Sequence, residues 1–469
     1  MKRDRNKKAA VQEQLIRQKF KQGKKVFQKK TLLTPEQRSD ALQRLETGLR
    51  TYERELLDAL RQDLNKSVHE AYMTEIGLAY SELRYTQKHL RKWLKPKRAK
   101  ASLGQLPGSV HLYRDPYGCV LIMSPWNYPV LLTINPLVSA LAAGNSVILK
   151  PSTYSPQTSH VLTEMIEGSF PDHLVQIVAG GRQENQTLLN LPFDYIFFTG
   201  SPRVGRVVMT KAAKNLTPIT LELGGKSPVI VDSSADIDIT AKRILFGKLL
   251  NAGQTCIAPD HVFAHRSIKP NLIDALVKQS KVIFKNPVYL RRAWPKIISP
   301  RHFDRIMGLI EKNKVVCGGV GDSELQTIEF TILDEPSYDS PVMQEEIFGP
   351  LLPILPYDDL TDLIYEQQRR PKPLALYLFT KNKQNEKRVL KELSYGGGCV
   401  NDTILHISST TSPFGGVGNS GMGNYHGKFG FDTFTHQKTV LKKWWLLDVP
   451  VRHHPYKSPD SKLPEWMLR

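Results

Sequence analysis

The stretch Gly118-Cys119-Val120-Leu121-Ile122-Met123-Ser124-Pro125-Trp126-Asn127-Tyr128-Pro129 decides how the chain is read. Residues 120–123 form a continuously apolar run that ends in a rigid turn built on Pro125 and Pro129. The surrounding segment 117–149 carries no charged side chain, a length that invites comparison with a membrane span. Pro125, Asn127, Pro129, Asn135, Pro136 and Asn145 interrupt it, so a buried strand, a turn and a helix start are expected instead. Runs of the same texture follow at 146–149, 174–178, 195–198 and 227–231, with helical segments between several of them. Short apolar strands alternating with helices predict a doubly wound α/β sheet.

Working outward, Thr34 followed by Pro35 and Gln37 predicts a helix start with a capping box. Leu42, Leu45, Leu49, Leu56, Leu60 and Leu64 then recur at near-helical spacing, and a second amphipathic helix is expected from about 70 to 93. Both helices are expected to pack on a sheet and to carry no chemistry. Residues 95–108 are basic and contain Gly and Pro. Segments 241–251, 268–285 and 301–312 read as helical and 351–356 and 374–379 as extended, so a second α/β unit is expected from about 225 to 400. A Gly/Ser-rich stretch at 410–427 returns to strand character at 439–446, and no internal repeat is evident.

A chain of 469 residues exceeds one ordinary core, so two large domains and a smaller appendage are expected. Apolar residues make up 40% and charged residues 23%, the composition of a folded globular chain. Cys119, Cys256, Cys317 and Cys399 lie far apart with no metal-ligand spacing, so neither a disulfide framework nor a metal site is expected, and the cytoplasm is the default compartment. Of the net charge of +20, residues 1–30 carry +10, from twelve Lys/Arg against two Asp/Glu. This basic arm is read as a solvated leader helix in preference to a nucleic-acid or membrane attachment, because no aromatic stacking platform accompanies it. No apolar region follows it as in a secretory signal.

Asn251-Ala252-Gly253-Gln254-Thr255-Cys256 ends in a cysteine able to serve as a nucleophile, although a lone cysteine is more often an inert core residue. Upstream, Leu221-Glu222-Leu223-Gly224-Gly225-Lys226 places a carboxylate beside paired glycines. Asn127 stands where a strand stops in a turn, able to present an amide N–H to an oxyanion or merely to close the turn. Phe198-Thr199-Gly200-Ser201-Pro202-Arg203-Val204-Gly205 follows a predicted strand and opens a helix, a context that suits a dinucleotide phosphate without the GxGxxG spacing.

Together these motifs resemble the aldehyde dehydrogenase superfamily. The segments Gln344-Glu345-Glu346-Ile347-Phe348-Gly349-Pro350 and Pro413-Phe414-Gly415-Gly416-Val417-Gly418-Asn419-Ser420-Gly421-Met422-Gly423 add to the resemblance, and Tyr425-His426-Gly427 looks most like the class 3 branch, which acts on fatty and aromatic aldehydes. The resemblance implies that Cys256 attacks the aldehyde, that Asn127 and the nucleophile's own N–H hold the oxyanion, and that Glu222 activates water to hydrolyse the thioester. It implies NAD or NADP as cofactor, with Glu346 at the nicotinamide ribose, Phe348 near the ring and Lys150 near the adenosine ribose. Gly200 and Gly205 are placed at the pyrophosphate, and Trp126, Thr153, Ser201, Pro202, Arg203, Val204 and Leu223 in the same cofactor cleft. It also implies a homodimer, with no specific nucleic-acid partner.

The expected organisation is a basic arm (1–30), a Rossmann-like cofactor domain (31–95 and 118–224), an α/β catalytic domain (225–401), a small β oligomerisation flap (96–117 and 402–445) and a tail (446–469). One position departs from the branch: Thr153 stands where class 3 members commonly carry Glu, which removes a repulsion toward a 2′-phosphate. Either NADP is accepted at least as well as NAD, or the change is neutral. Two rival readings are a coenzyme-A-acylating dehydrogenase, which the presence of Glu222 argues against, and a catalytically silent scaffold or nucleic-acid binder using the basic arm.

Overall fold

The apolar run at 120–123 lies in the strand Cys119–Met123, at the centre of a six-stranded sheet. All five of its residues are buried, because helices cover both faces. Alternation divides the strand between two cores: Val120 and Ile122 join one apolar cluster, and Cys119, Leu121 and Met123 the other. The computed structural model describes residues 2–445, 453–455 and 462.

Across this sheet the order is Gly421–Met422, Ile219–Leu223, Tyr195–Gly200, Cys119–Met123, Ser146–Lys150, Val175–Ile177. The five longer strands are parallel, and Gly421–Met422 pairs antiparallel with Ile219–Leu223. From Cys119–Met123 the chain moves outward through Ser146–Lys150 and Val175–Ile177, then returns to the other side at Tyr195–Gly200. The carboxyl ends of Cys119–Met123 and Tyr195–Gly200 therefore flank a topological switch point, where open α/β sheets bind ligands. A second sheet of seven strands runs Val315–Cys317, Thr331–Asp334, Leu351–Tyr357, His261–His265, Pro228–Val231, Ala375–Phe379, Gly397–Val400, parallel except at its first edge. The third sheet is the small antiparallel flap: Lys97–Ala99, Gly108–Pro116, Thr435–Lys443.

Several expectations need correction. The capping box forms at Thr34 and Gln37, but the helix ends at Thr51 and a new one starts at Glu53, because Tyr52 leaves helical geometry (φ −100°, ψ 13°). The second expected helix contains a π-helical turn at Tyr72–Ile76. Helices Pro35–Thr51 and Glu53–Leu64 pack mainly on other helices, Pro156–Ser169 among them, rather than on the sheet. Of residues 402–445, only Thr435–Lys443 enters the flap sheet. Gly421–Met422 completes the six-stranded sheet, and helix Gly427–Thr433 buries Phe431 against helix Leu131–Ala143. The tail assigned to 446–469 falls almost wholly outside the described residues.

The basic arm is not simply solvated. Helix Lys2–Gln28 seats Ile16 and Phe20 on the sheet face that carries Cys119, Leu121 and Ile148. Lys19 Nζ donates to the Ile177 carbonyl at 2.8 Å, Gln176 Nε2 donates back to the Lys19 carbonyl at 2.8 Å, and Lys24 pairs with Asp194 at 2.6 Å. A face that would otherwise expose apolar strand residues makes this docking favourable at about 25 cal/mol per Å² removed from water. Among the described residues no helix is long and apolar enough to cross a membrane.

Candidate active site

Helix Ile237–Leu249 runs into the loop that presents Cys256. Asn251, Ala252 and Gly253 take left-handed backbone conformations in succession, with φ of 52°, 50° and 75°. Two of the three carry a Cβ, so the turn costs about 1–2 kcal/mol for each of them and must be held by its surroundings. At Gly253 a Cβ would lie 2.3 Å from the Gly349 carbonyl oxygen, so only glycine fits. The holding groups are specific. Glu70 Oε1 accepts the Asn251 N–H at 2.6 Å, Gln254 Nε2 donates to Asn251 O at 3.0 Å and Lys296 O at 3.1 Å, and Gln254 Oε1 accepts the Ile298 N–H at 3.0 Å. The Tyr128 hydroxyl meets Thr255 Oγ1 at 2.7 Å.

Glu222 reaches the same place from the other sheet. It is the penultimate residue of Ile219–Leu223, paired with Gly421 on one side and Thr199 on the other. The glycine-rich segment 413–423 thus closes the outer edge of the strand that carries this carboxylate. Glu222 is buried, and neither carboxylate oxygen has a hydrogen-bond partner. Cys256 and Glu222 line one cavity of about 250 Å³, whose other walls include Met73, Leu78, Leu132, Phe246, Leu405 and Phe414. A thiol and an unpartnered carboxyl therefore face a largely apolar space.

Burial sets the electrostatics. It pushes the Cys256 thiol up to about 12, with the Glu346 and Glu222 carboxylates adding to the shift and backbone N–H groups of Cys256 and Ile257 opposing it. Burial also raises the Glu222 carboxyl well above the usual range. A neutral thiol is a poor nucleophile, and a desolvated carboxylate is a stronger base than a solvated one. Without cofactor, alkylation of Cys256 by iodoacetamide, followed on its own peptide, is expected to climb about tenfold per pH unit from pH 7 to 10. A plateau below pH 9 would contradict a thiol held so far up.

Asn127 is buried but does not line this cavity. Its Nδ2 donates one of its two hydrogens to the Gln254 carbonyl at 3.0 Å, two residues before Cys256. Its backbone carbonyl accepts from Lys66 Nζ at 2.8 Å and from Asn251 Nδ2 at 2.9 Å. Lys66, Glu70 and Glu75 carry no signal in the sequence reading, and the roles of Asn251 and Gln254 within their motif emerge only here. On an amphipathic pattern the charged ones read as a solvated face, and only packing reveals that they are buried.

The predicted cofactor residues gather at the carboxyl ends of the first sheet. Lys150 ends its strand level with Met123, and Gly200 ends its strand level with Leu223. Trp126 follows the central strand and meets Phe348 edge-on at 5.4 Å between ring centroids; Phe348 has φ of 49°. Ser201 caps helix Pro202–Ala213, its side chain accepting from the Val204 N–H at 3.4 Å, with Pro202 at the first turn and Arg203 exposed beside it. At Gly205 a Cβ would press within 2.7 Å of Leu223 Cδ2, so glycine lets this helix N-terminus close on the strand. Glu346 accepts the Gly225 N–H and leaves Oε1 unpartnered, while burial raises its carboxyl to about 8. Lys150 is buried, bonds the Pro151 carbonyl at 2.6 Å and is lowered to about 8 by burial. Thr153 is exposed. A helix N-terminus for a diphosphate, an orphaned carboxylate oxygen for a hydroxyl and an aromatic pair for a ring fit a dinucleotide.

A model of the aldehyde dehydrogenase family matches residues 6–440. The chain belongs to the aldehyde dehydrogenase family. It is an NAD(P)-dependent aldehyde dehydrogenase, and its relatives place it near class 3. It is 44% identical over 446 residues to 4,4'-diaponeurosporen-aldehyde dehydrogenase of Staphylococcus aureus, covering 95% of this chain and 97% of that protein. It is equally 44% identical to aldehyde dehydrogenase family 3 member H1 of Arabidopsis thaliana, covering 88% and 86%. The solved structure described as the substrate-bound state of Staphylococcus aureus AldH superposes with a TM-score of 0.93 at 42% identity, over 97% of this chain and 99% of the other. The aldehyde dehydrogenase fold expected from sequence is therefore the observed one.

Proposed function

We propose that this aldehyde dehydrogenase oxidises an apolar aldehyde, medium- or long-chain aliphatic or aromatic, to the carboxylic acid by covalent catalysis on Cys256. The observation that carries the reading is the shared cavity: thiol and unpartnered carboxyl face one apolar space. A relative named for a 4,4'-diaponeurosporen aldehyde supports an apolar substrate.

In this reading Glu222 takes the thiol proton as Cys256 sulfur bonds to the carbonyl carbon, and the carbonyl π electrons move to oxygen. The second amide hydrogen of Asn127 and the Cys256 N–H hold that oxygen. When bound, the nicotinamide supplies the acceptor for the hydride, leaving a thioester on Cys256. Glu222 passes the thiol proton to solvent and, ionised again, removes a proton from water as the water oxygen attacks the thioester carbon. The carbon–sulfur bond then breaks, the departing thiolate takes the proton back from Glu222, and the acid is released. Glu346 would hold the nicotinamide ribose, Phe348 and Trp126 the ring region, the helix start at 200–205 with Leu223 the pyrophosphate, and Lys150 with Thr153 the adenosine ribose. A panel of short aliphatic, long-chain and aromatic aldehydes tests the substrate class. A kcat/KM that fails to rise with apolar size would reject it.

For the cofactor, exposed Thr153 beside buried Lys150 supports acceptance of NADP at least as well as NAD. Thr153→Glu is expected to cut kcat/KM for NADP relative to NAD by roughly tenfold or more, through repulsion of the 2′-phosphate. The sign with pH follows from Lys150. Its ammonium is lost as pH rises through about 8, so selectivity for NADP should fall above that pH. A strong NAD preference in the wild-type enzyme would sink this reading. We also infer a cytoplasmic homodimer joined through the flap, whose nine-residue strand Thr435–Lys443 lies at a sheet edge able to pair with a second copy. Light scattering on the purified protein tests the assembly.

A further inference from the structure

Two residues outside every motif used above, Lys66 and Glu75, form an ion pair at 2.6 Å with both side chains fully buried. Such a pair is expensive to desolvate and is weak evidence for stability, since apolar replacements of similar size often fold as well. Its position is informative. Lys66 Nζ donates to the Asn127 carbonyl at 2.8 Å and sits 3.9 Å over the Tyr128 ring. Glu75 uses Oε1 for Lys66 and Oε2 for the N–H groups of Val130 at 2.8 Å and Leu131 at 3.3 Å, where helix Leu131–Ala143 begins. The pair thus grips both ends of the 127–131 turn. From the opposite side, Asn251 Nδ2 shares the Asn127 carbonyl, and Asn127 Nδ2 reaches the Gln254 carbonyl. Asn127 is held at its backbone carbonyl by a charge from one element and by an amide from the nucleophile loop.

We propose that Lys66 and Glu75 are positioning residues for the oxyanion donor: they fix Asn127 relative to Cys256, so that its remaining amide hydrogen meets the oxygen of the tetrahedral adduct. This rests on the oxyanion role proposed for Asn127. Without Lys66, Asn127 loses the charged partner on its carbonyl and the turn can shift along the cavity wall. A misplacement of about 1 Å can cost on the order of 10²-fold in rate.

The test compares Lys66→Met, Asn127→Ala and their combination in the full-length enzyme with saturating cofactor, reading the NAD(P)H burst on mixing with aldehyde and the iodoacetamide alkylation of Cys256. Where Lys66→Met does not fold, Lys66→Met with Glu75→Gln, which leaves no unpaired buried charge, takes its place. The expected result is a burst slowed by about 10- to 100-fold, unchanged alkylation, and little further loss on adding the change to Asn127→Ala, because both act through one group. A wild-type burst in the lysine variant, losses that multiply with those of Asn127→Ala, or a parallel fall in alkylation would overturn the positioning role and leave the oxyanion reading standing. An unchanged burst in Asn127→Ala alone would overturn the oxyanion reading, and this proposal with it.

Discussion

Replacing Cys256 with alanine is expected to abolish aldehyde oxidation while leaving the protein folded. The proposed chemistry runs through a sulfur–carbon bond, and no second cysteine lines the cavity. Removal of a covalent nucleophile costs on the order of 10⁶-fold in comparable enzymes. The structural cost should be small. The thiol is only partly exposed and packs at the edge of the main core, so losing one sulfur removes about 1 kcal/mol of burial at most. Steady-state turnover, the NAD(P)H burst and the melting temperature together check this. Normal turnover in the alanine variant would reject covalent catalysis at this position.

Glu222→Gln should separate the two halves of the cycle. The side chain makes no hydrogen bond, so an amide of the same shape breaks none, and the fold should tolerate it. Water activation needs an ionised carboxylate, and glutamine supplies none. The expected trace is one burst of NAD(P)H per active site followed by steady-state turnover slowed roughly 10²- to 10⁴-fold. Because Glu222 also takes the thiol proton in the proposed scheme, the burst in this variant forms more slowly than in the wild-type enzyme at neutral pH, and raising the pH should restore its rate but not the turnover. In the wild-type enzyme the direction with pH is fixed by the raised carboxyl. Only the ionised form accepts a proton, so kcat should rise with pH on the alkaline side of the ordinary carboxylate range. A glutamine variant with wild-type steady-state turnover would remove Glu222 from the mechanism.

The structural elements legible in the sequence share a physical property: each is enforced locally. The run at 120–123 is apolar on both sides because helices cover both faces of its strand, so it reads as a buried strand without knowledge of its neighbours. The capping box at Thr34 and Gln37 is settled within four residues. Ser201 and Pro202 mark a helix start in the same way. The motifs around Glu222, Cys256 and Glu346 are legible in another way, through resemblance to the family, since no local conformational rule marks those side chains. Where local signals were weak, the expectation failed. Near-helical leucine spacing continues straight through Tyr52, where the helix in fact breaks. The amphipathic arm reads as solvated because the sheet face it covers is formed by strands that begin only at Cys119, far along the chain.

The sequence by itself determined that this chain is a doubly wound α/β protein of the aldehyde dehydrogenase family, and it marked a cysteine, a carboxylate and a helix start as candidates for the chemistry proposed above. Apolar periodicity and local capping are properties of short segments, and short segments carry them. Only the tertiary structure decided that Glu222 on one sheet and Cys256 on a loop of the other unit open into one cavity. It also decided that Lys66 and Glu75 are buried beneath Asn127 rather than solvated. Burial and proximity depend on how distant elements pack, and with them go the thiol held near 12 and the unpartnered carboxyl beside it. No stretch of sequence contains that information, because the same residues in water would be an ordinary thiol and an ordinary acid.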